Sequence, residues 1–161
     1  MSGKSWALAT PPVEPTKVED LAQNWGNLGF QIRPVNGFMK YTWRGGAWDA
    51  GEFVPVPYLV LHINSGVLHY GISCFEGLKA FACKDGVIRL ANPTMNAARM
   101  QDGARKLRMP EVPTAMFVEG VRQAVGRNAE FVPPYGYAAS MYVRPLLFAS
   151  GAMLGLAPLA E

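Results

Sequence analysis

The pattern of apolar and polar residues changes character near residue 92. Before that point, apolar residues fall in short, dense runs that contain aromatic and β-branched side chains, which is typical of strands. One such run is Phe38–Trp43, which ends just before the turn signal Gly45-Gly46. Another is Tyr58–Ile63, which ends at Asn64-Ser65-Gly66. Both runs are predicted to be strands.

A hairpin is predicted further along the chain. Phe75–Cys83 leads into Lys84-Asp85-Gly86, and Val87–Leu90 returns from it. An Asp-Gly pair between two β-prone segments favours a tight reversal of the chain, because both residues accept the backbone angles that such a turn needs.

Helical spacing begins after the hairpin. Asn92 and Pro93 predict a helix start as N-cap and first helical residue. The inner stripe of this helix is predicted to be Ala97, Met100, Ala104 and Leu107. A second helix is predicted from about Pro113 to Asn128, with an inner stripe of Phe117, Val121 and Ala124. Ser140–Pro145 is predicted to be a strand. Together these elements predict an α+β fold, in which a mostly antiparallel sheet packs against two helices.

The two ends of the chain carry weaker patterns. Residues 1–17 contain three prolines and few large apolar groups, so residues 1–23 are predicted to form an irregular N-terminal arm. The region Gly151–Glu161 is predicted to be a glycine-bearing loop. The rest of the chain, residues 24–161, is predicted to be one domain, in keeping with a length of 161 residues.

Composition excludes several classes of protein. The chain is 50% hydrophobic and 17% charged, which argues against global disorder, and it has no apolar run long enough to cross a membrane. Its net charge of +3 comes from scattered basic residues, so no nucleic-acid surface is expected. Two cysteines and two histidines lack the spacing of metal ligands, so no metal is expected. No secretory signal is recognisable at the N-terminus, and a cytoplasmic location is expected.

Three basic side chains are candidates for chemistry. Arg99 lies off the predicted inner stripe of its helix, where it could bind a phosphate or form a surface ion pair with Asp102. Arg144 and Tyr142 are two residues apart on a predicted strand and therefore share one face. They could clamp a carboxylate, or they could belong to a partly exposed sheet face. Lys79 stands among apolar residues, where it could be a nucleophile or simply reach outward to solvent or a carboxylate.

Several motifs, in order and with compatible spacing, resemble those of branched-chain amino acid aminotransferases. They are Leu68-His69-Tyr70-Gly71, Phe75–Phe81, Asn96–Met100, Leu107–Pro110, Phe131–Pro134, Ser140–Pro145 and Leu154-Gly155-Leu156. The resemblance covers roughly residues 24–161, and the segment Trp43–Trp48 is similar to the eukaryotic branch. One departure is Ala91-Asn92, where the family usually has Phe-Arg.

This resemblance implies the small domain of a fold type IV aminotransferase. Such an enzyme uses pyridoxal 5′-phosphate to move an amino group between leucine, isoleucine or valine and 2-oxoglutarate, and it works as a homodimer. Arg99 resembles the arginine that holds the cofactor phosphate. Arg144 is similar to the arginine that recognises the second carboxylate of the acidic substrate. The remaining substrate-site residues implied by the resemblance are Phe30, Tyr70, Phe75, Tyr142, Leu154 and Leu156.

The resemblance also implies a missing catalytic group. In this family the Schiff-base lysine belongs to a second, larger domain, and none of the six lysines of this chain matches it, Lys79 included. No catalytic residue is therefore assigned, and the chain is not expected to catalyse transamination by itself. Three interpretations follow: a truncated aminotransferase, a non-catalytic paralogue that binds a ligand or a full-length partner, or an unrelated binding module.

Overall fold

A computed structural model describes residues 11–154 of the protein. Its helices are α1 (Val18–Ala22), α2 (Gly66–Tyr70), α3 (Pro93–Lys106) and α4 (Thr114–Gly126), with 3₁₀ turns at Trp25–Asn27 and Ala129–Phe131. Its strands are β1 (Phe38–Lys40), β2 (Trp43–Arg44), β3 (Ala47–Trp48), β4 (Glu52–Val54), β5 (Ser73–Phe75), β6 (Leu78–Ala82), β7 (Ile88–Leu90), β8 (Met141–Val143) and β9 (Leu146–Phe148). None of the helices within residues 11–154 is both long and apolar enough to cross a membrane.

Every strand pair among the described residues is antiparallel, in agreement with the expected fold class. The strands form four small sheets rather than one: β1 with β4, β2 with β3, β5 with β9, and β7-β6-β8. The predicted hairpin is confirmed, since β6 pairs with β7 across the Lys84-Asp85-Gly86 turn. The turn at Gly45-Gly46 is also confirmed; both glycines have positive φ, as a two-residue hairpin turn requires.

One interrupted ladder organises the centre of the molecule. Phe75 lies opposite Leu146 where β5 pairs with β9, and Leu78 lies opposite Val143 where β6 pairs with β8. The two pairings keep the same register, so the predicted strand Phe75–Cys83 is broken only at Glu76 and Gly77. Pro145 explains the break, because proline has no N–H to donate to a ladder, although its carbonyl still accepts from the Glu76 N–H at 2.9 Å.

The ladder has an inner and an outer face, because successive strand residues point to opposite sides. Leu78, Ala80 and Leu147 are buried on the inner face, and Glu76 is buried with them. The outer face carries the side chains that alternate with these, and most of them are exposed. The exposed ones are Phe75, Lys79, Tyr142, Arg144 and Leu146.

The hydrophobic core lies between the inner face and the two long helices. Ala97, Met100 and Ala104 of α3 are buried as predicted, whereas Leu107 is exposed because it follows the end of the helix. In α4 the buried residues are Phe117, Val121 and Val125; Val125, rather than the predicted Ala124, completes the stripe. Each helix contributes one face, as packing around a single core requires.

Two local predictions are wrong, and a third gives a strand that is too long. Tyr58–Ile63 is not a strand: no described strand pairs with it, and Val60 and Ile63 are each 73% exposed. The arm is not wholly irregular, since α1 lies within residues 1–23 and buries Leu21 against Trp25 and Phe131. Ser140–Pro145 contains only the short strand β8, because Pro145 interrupts the ladder.

Two further predictions concern element ends. Asn92 does occupy the N-cap position of α3, but it has positive φ and its side chain makes no cap hydrogen bond. The predicted loop Gly151–Glu161 lies mostly outside the described residues, and within them Ala152 forms an isolated bridge with Ser65.

Two methionines of α3 allow the core to be tested. Met100 is 4% exposed in the core, and Met95 is 70% exposed on the same helix. We expect Met100→Ala to lower the free energy of unfolding by about 2–5 kcal/mol, because it leaves a cavity and removes buried apolar contacts. Met95→Ala should change it by no more than about 0.5 kcal/mol. Urea denaturation of both variants checks this, and equal losses would contradict the position of the core.

Candidate functional site

Four predicted site residues come together on the outer face of the ladder. The rings of Phe30 and Tyr142 meet edge to face with centroids 5.3 Å apart. The Arg144 guanidinium lies over the Phe75 ring, 4.4 Å from its centroid, and 5.2 Å from that of Tyr142. Arg144 Nε also donates to the Tyr142 hydroxyl at 3.0 Å. We call these four residues the outer cluster; it combines apolar ring surface with one fixed positive charge.

Gly77 makes room for the outer cluster. A Cβ at position 77 would collide with the hydroxyl of Tyr142 and would lie 3.0 Å from Cζ of its ring. Because glycine has no side chain, the Tyr142 phenol can lie across the ladder break and reach Arg144. The same break that Pro145 causes is therefore where the tyrosine is accommodated.

A cavity of about 330 Å³ lies beside the outer cluster. Phe30 and Tyr142 line it, together with Lys79, which stands directly opposite Tyr142 across β6 and β8. Lys79 is exposed, which favours the alternative in which it reaches outward. The volume is at the small end of the range for ligand pockets.

Behind the ladder break, a buried carboxylate holds the Arg99 guanidinium. The Glu76 side chain is 2% exposed, and that of Arg99 is 70% exposed. Arg99 donates from Nε to Oε1 at 2.7 Å and from Nη2 to Oε2 at 2.5 Å. Asn96, one turn earlier on α3, donates from Nδ2 to Oε2 at 2.8 Å and to the Gly77 carbonyl at 3.2 Å.

Electrostatics favours the ionised form of Glu76. Hydrogen bonds from Arg99, supported by the one from Asn96, lower the pKa of Glu76 below its usual value, although burial opposes them. A carboxylate removed from water is strongly destabilising unless donors replace its hydration, and here three donor hydrogens do so. The same carboxylate and burial raise the pKa of the neighbouring Cys74 thiol, with burial the larger effect.

The alternative prediction for Arg99, a surface ion pair with Asp102, is wrong. Asp102 pairs instead with Arg105, from Nη2 to Oδ1 at 2.7 Å, and Arg99 turns toward the strand. Arg99 therefore lies at the break in the ladder, on its inner side, where it contacts the residue that follows Phe75.

The other predicted site residues lie elsewhere. Tyr70 ends α2 and Leu154 ends the described chain, and both are exposed. Leu156 lies outside the described residues. Among the residues that the structure describes, no three His, Cys, Asp or Glu side chains come together as a metal site.

Sequence reasoning missed the roles of Glu76 and Asn96. A signal for Glu76 was present, because it alternates with Cys74, Leu78 and Ala80 and so had to share their buried face. A buried carboxylate needs a cation or several donors. Asn96 precedes Arg99 by three residues and so lies on the same side of a helix.

Comparison with known proteins finds relatives of this chain. No family model matches the chain. A branched-chain-amino-acid aminotransferase of Haemophilus influenzae is 43% identical over 133 residues, which cover 83% of this chain and 39% of the relative. The chloroplastic branched-chain-amino-acid aminotransferase 5 of Arabidopsis thaliana is 40% identical over 149 residues, covering 91% of this chain and 35% of the relative. The resemblance to branched-chain amino acid aminotransferases is confirmed.

A solved structure agrees. The branched-chain amino acid aminotransferase from Escherichia coli matches with a TM-score of 0.53 and 27% identity over 74% of this chain and 36% of that chain. This likeness also confirms the expected α+β fold. The chain spans only 35–41% of the length of the curated relatives it matches.

The buried ion pair predicts a distinct response to acid. The stabilisation from Glu76 is complete above the pKa of an unfolded glutamate, about 4.3, and is lost as the pH falls through the lower folded pKa. Glu76→Gln removes the titrating group, so its free energy of unfolding should fall less steeply than that of the wild type between about pH 5 and pH 3. At pH 7 the variant should be less stable by about 1–3 kcal/mol.

Urea denaturation across this pH range is the measurement. Glu14→Gln is the control, since it makes the same charge change at an exposed position. If wild type and Glu76→Gln lost stability equally steeply, the buried pair would not be the source of the acid response.

Proposed function

We propose that the chain forms the substrate-facing part of a branched-chain amino acid aminotransferase. The reaction transfers an amino group between leucine, isoleucine or valine and 2-oxoglutarate. The outer cluster carries this proposal, because it presents ring surface and one anchored guanidinium to the same space. The names of the relatives support the reaction class and the branched-chain substrates, and the chemistry of the cluster is compatible with them.

The two substrate classes need different features of one site. A branched aliphatic side chain needs an apolar wall, which Phe30, Phe75 and Tyr142 supply. Glutamate and 2-oxoglutarate place a second carboxylate where the aliphatic side chain would lie, and Arg144 supplies the charge that matches it. Arg144 is already held by the Tyr142 hydroxyl and the Phe75 ring, so little side-chain freedom is lost when a carboxylate binds.

The residues also fit the phosphate of pyridoxal 5′-phosphate. Arg99 engages Glu76 through one edge of its guanidinium only, and its largely exposed side chain leaves donors for an anion. Bound cofactor supplies the electron sink and the carrier for the amino group. This chain contributes by holding one side of the phosphate through Arg99 and by orienting the substrate through Arg144. Tyr70, Leu154 and Leu156 complete the substrate site against a neighbouring domain or subunit.

A chimera tests the reaction and the role of Arg144. Residues of this chain replace the matching segment of the Haemophilus influenzae relative, and both half-reactions are followed by stopped-flow absorbance. Arg144→Ala should slow the half-reaction with glutamate by about ten- to a hundredfold more than that with leucine, because only glutamate brings the second carboxylate. A folded chimera that retains cofactor but accepts no amino group from leucine would contradict the proposed function.

The same chimera tests Arg99. Arg99→Ala should weaken cofactor retention by about one to two decades, because a hydrogen bond to a charged group contributes about 1.5–3 kcal/mol. Arg122→Ala removes an exposed arginine of α4 with the same kind of carboxylate partner and should leave retention unchanged. Cofactor occupancy after dialysis is the measurement. If Arg144→Ala lost the cofactor while Arg99→Ala kept it, the two roles would be reversed.

A further inference from the structure

Among the described residues, two arginine–glutamate pairs share one geometry but lie in opposite environments. Arg99 and Glu76 meet side-on through Nε and Nη2, and so do Arg122 and Glu119, at 2.7 Å and 2.6 Å. The Glu119 side chain is 45% exposed, however, whereas that of Glu76 is 2% exposed. An exposed pair of this kind is loosely held and contributes little, whereas a buried carboxylate cannot give up its partner to water.

We propose that Glu76, held by Asn96, is a positioning residue that fixes the Arg99 guanidinium for the phosphate of a bound ligand. The inference rests on the proposed function, which assigns the phosphate to Arg99. What it adds is that the Glu76 carboxylate determines which edge of the Arg99 guanidinium contacts the phosphate.

The geometry determines that edge. Both carboxylate oxygens are occupied by the Nε and Nη2 edge of Arg99, and Asn96 donates to Oε2 as well. The opposite edge, with Nη1 and the second hydrogen of Nη2, is engaged by neither bond. Because a guanidinium is planar and its donors are fixed relative to one another, fixing one edge fixes the direction of the other.

Backbone contacts anchor Glu76 in turn. Its N–H donates to the Pro145 carbonyl at 2.9 Å, and Asn96 bridges its carboxylate to the Gly77 carbonyl. The carboxylate therefore belongs to the ladder, whereas Arg99 belongs to α3. Glu76 joins the two elements at the point where the outer cluster begins, one residue after Phe75.

Charge and orientation predict opposite effects of removing the carboxylate. Glu76→Gln removes a negative charge next to Arg99, and electrostatics alone would then strengthen phosphate binding. If Glu76 orients Arg99, binding should weaken instead, because a glutamine has one acceptor oxygen and cannot accept both bonds of the fork. The sign of the change therefore separates the two explanations.

NMR of the chain labelled with ¹⁵N provides the first measurement. In the wild type, the Arg99 Nε–Hε proton should exchange with water at least about tenfold more slowly than that of Arg122, since only the former faces a buried carboxylate. Glu76→Gln should abolish this difference, and the matched variant Glu119→Gln should not. Equal exchange at the two arginines of the wild type would overturn the inference without any variant.

Ligand titration provides the second measurement, with pyridoxamine 5′-phosphate as the probe and pyridoxamine as its phosphate-free control. Shifts of the Arg99 Nε–Hε signal report the binding. Glu76→Gln should weaken binding of the phosphate form by about tenfold, the scale found for partners that orient metal ligands, and Glu119→Gln should change it less than about twofold. Unchanged or tighter binding by Glu76→Gln overturns the inference.

The two measurements separate failure of this inference from failure of the proposed function. Equal binding of the two probes by the wild type would overturn the phosphate role of Arg99, and with it the ligand named here. Proton exchange would still decide whether Glu76 holds Arg99, because that measurement requires no ligand.

Discussion

A carboxylate closed off from water must be matched by donors, and this requirement links the two layers of the protein. Glu76 lies on the buried face of the ladder, and its matching donors, Asn96 and Arg99, both come from α3. The helix is thus fixed against the strands by directional bonds as well as by the apolar contacts of Ala97 and Met100. Apolar contacts alone tolerate small shifts of a helix, whereas a fork of charged hydrogen bonds fixes its rotation and depth.

The break in the ladder explains how one stretch of strand contacts both α3 and the outer cluster. Pro145 cannot donate to its neighbour, so β5–β9 and β6–β8 remain separate sheets although they share a register. At the break, Glu76 faces inward to α3, while Phe75 and Gly77 on either side of it face the outer cluster. Three consecutive residues thereby contact Arg144, Arg99 and Tyr142 in turn. A side chain at position 77 would collide with Tyr142 in the outer cluster, whereas a change at Glu76 would remove the partner of Arg99 on the inner side.

Features determined by neighbouring residues could be predicted from the sequence. The hairpin at Lys84-Asp85-Gly86 and the stripe of α3 depend on turn chemistry and helical period, which a short segment carries within itself. The pairing of Tyr142 with Arg144 followed from strand alternation in the same way. Tyr58–Ile63 has the composition of a strand but lies unpaired among the described residues, because pairing depends on a partner that composition cannot identify.

The site required more than local pattern. The motifs indicated Arg99 and the outer cluster by resemblance, but they did not indicate that Arg99 turns away from Asp102, its neighbour three residues later on the same helix. That choice is decided by burial: Asp102 is exposed and already solvated, whereas Glu76 has no water to replace a lost partner. Arg99 therefore pairs with Glu76, although Glu76 is more distant from it in sequence than Asp102. A carboxylate that alternates with buried apolar residues, followed on the next helix by an amide and an arginine three residues apart, is a pattern that predicts such a buried pair from sequence alone.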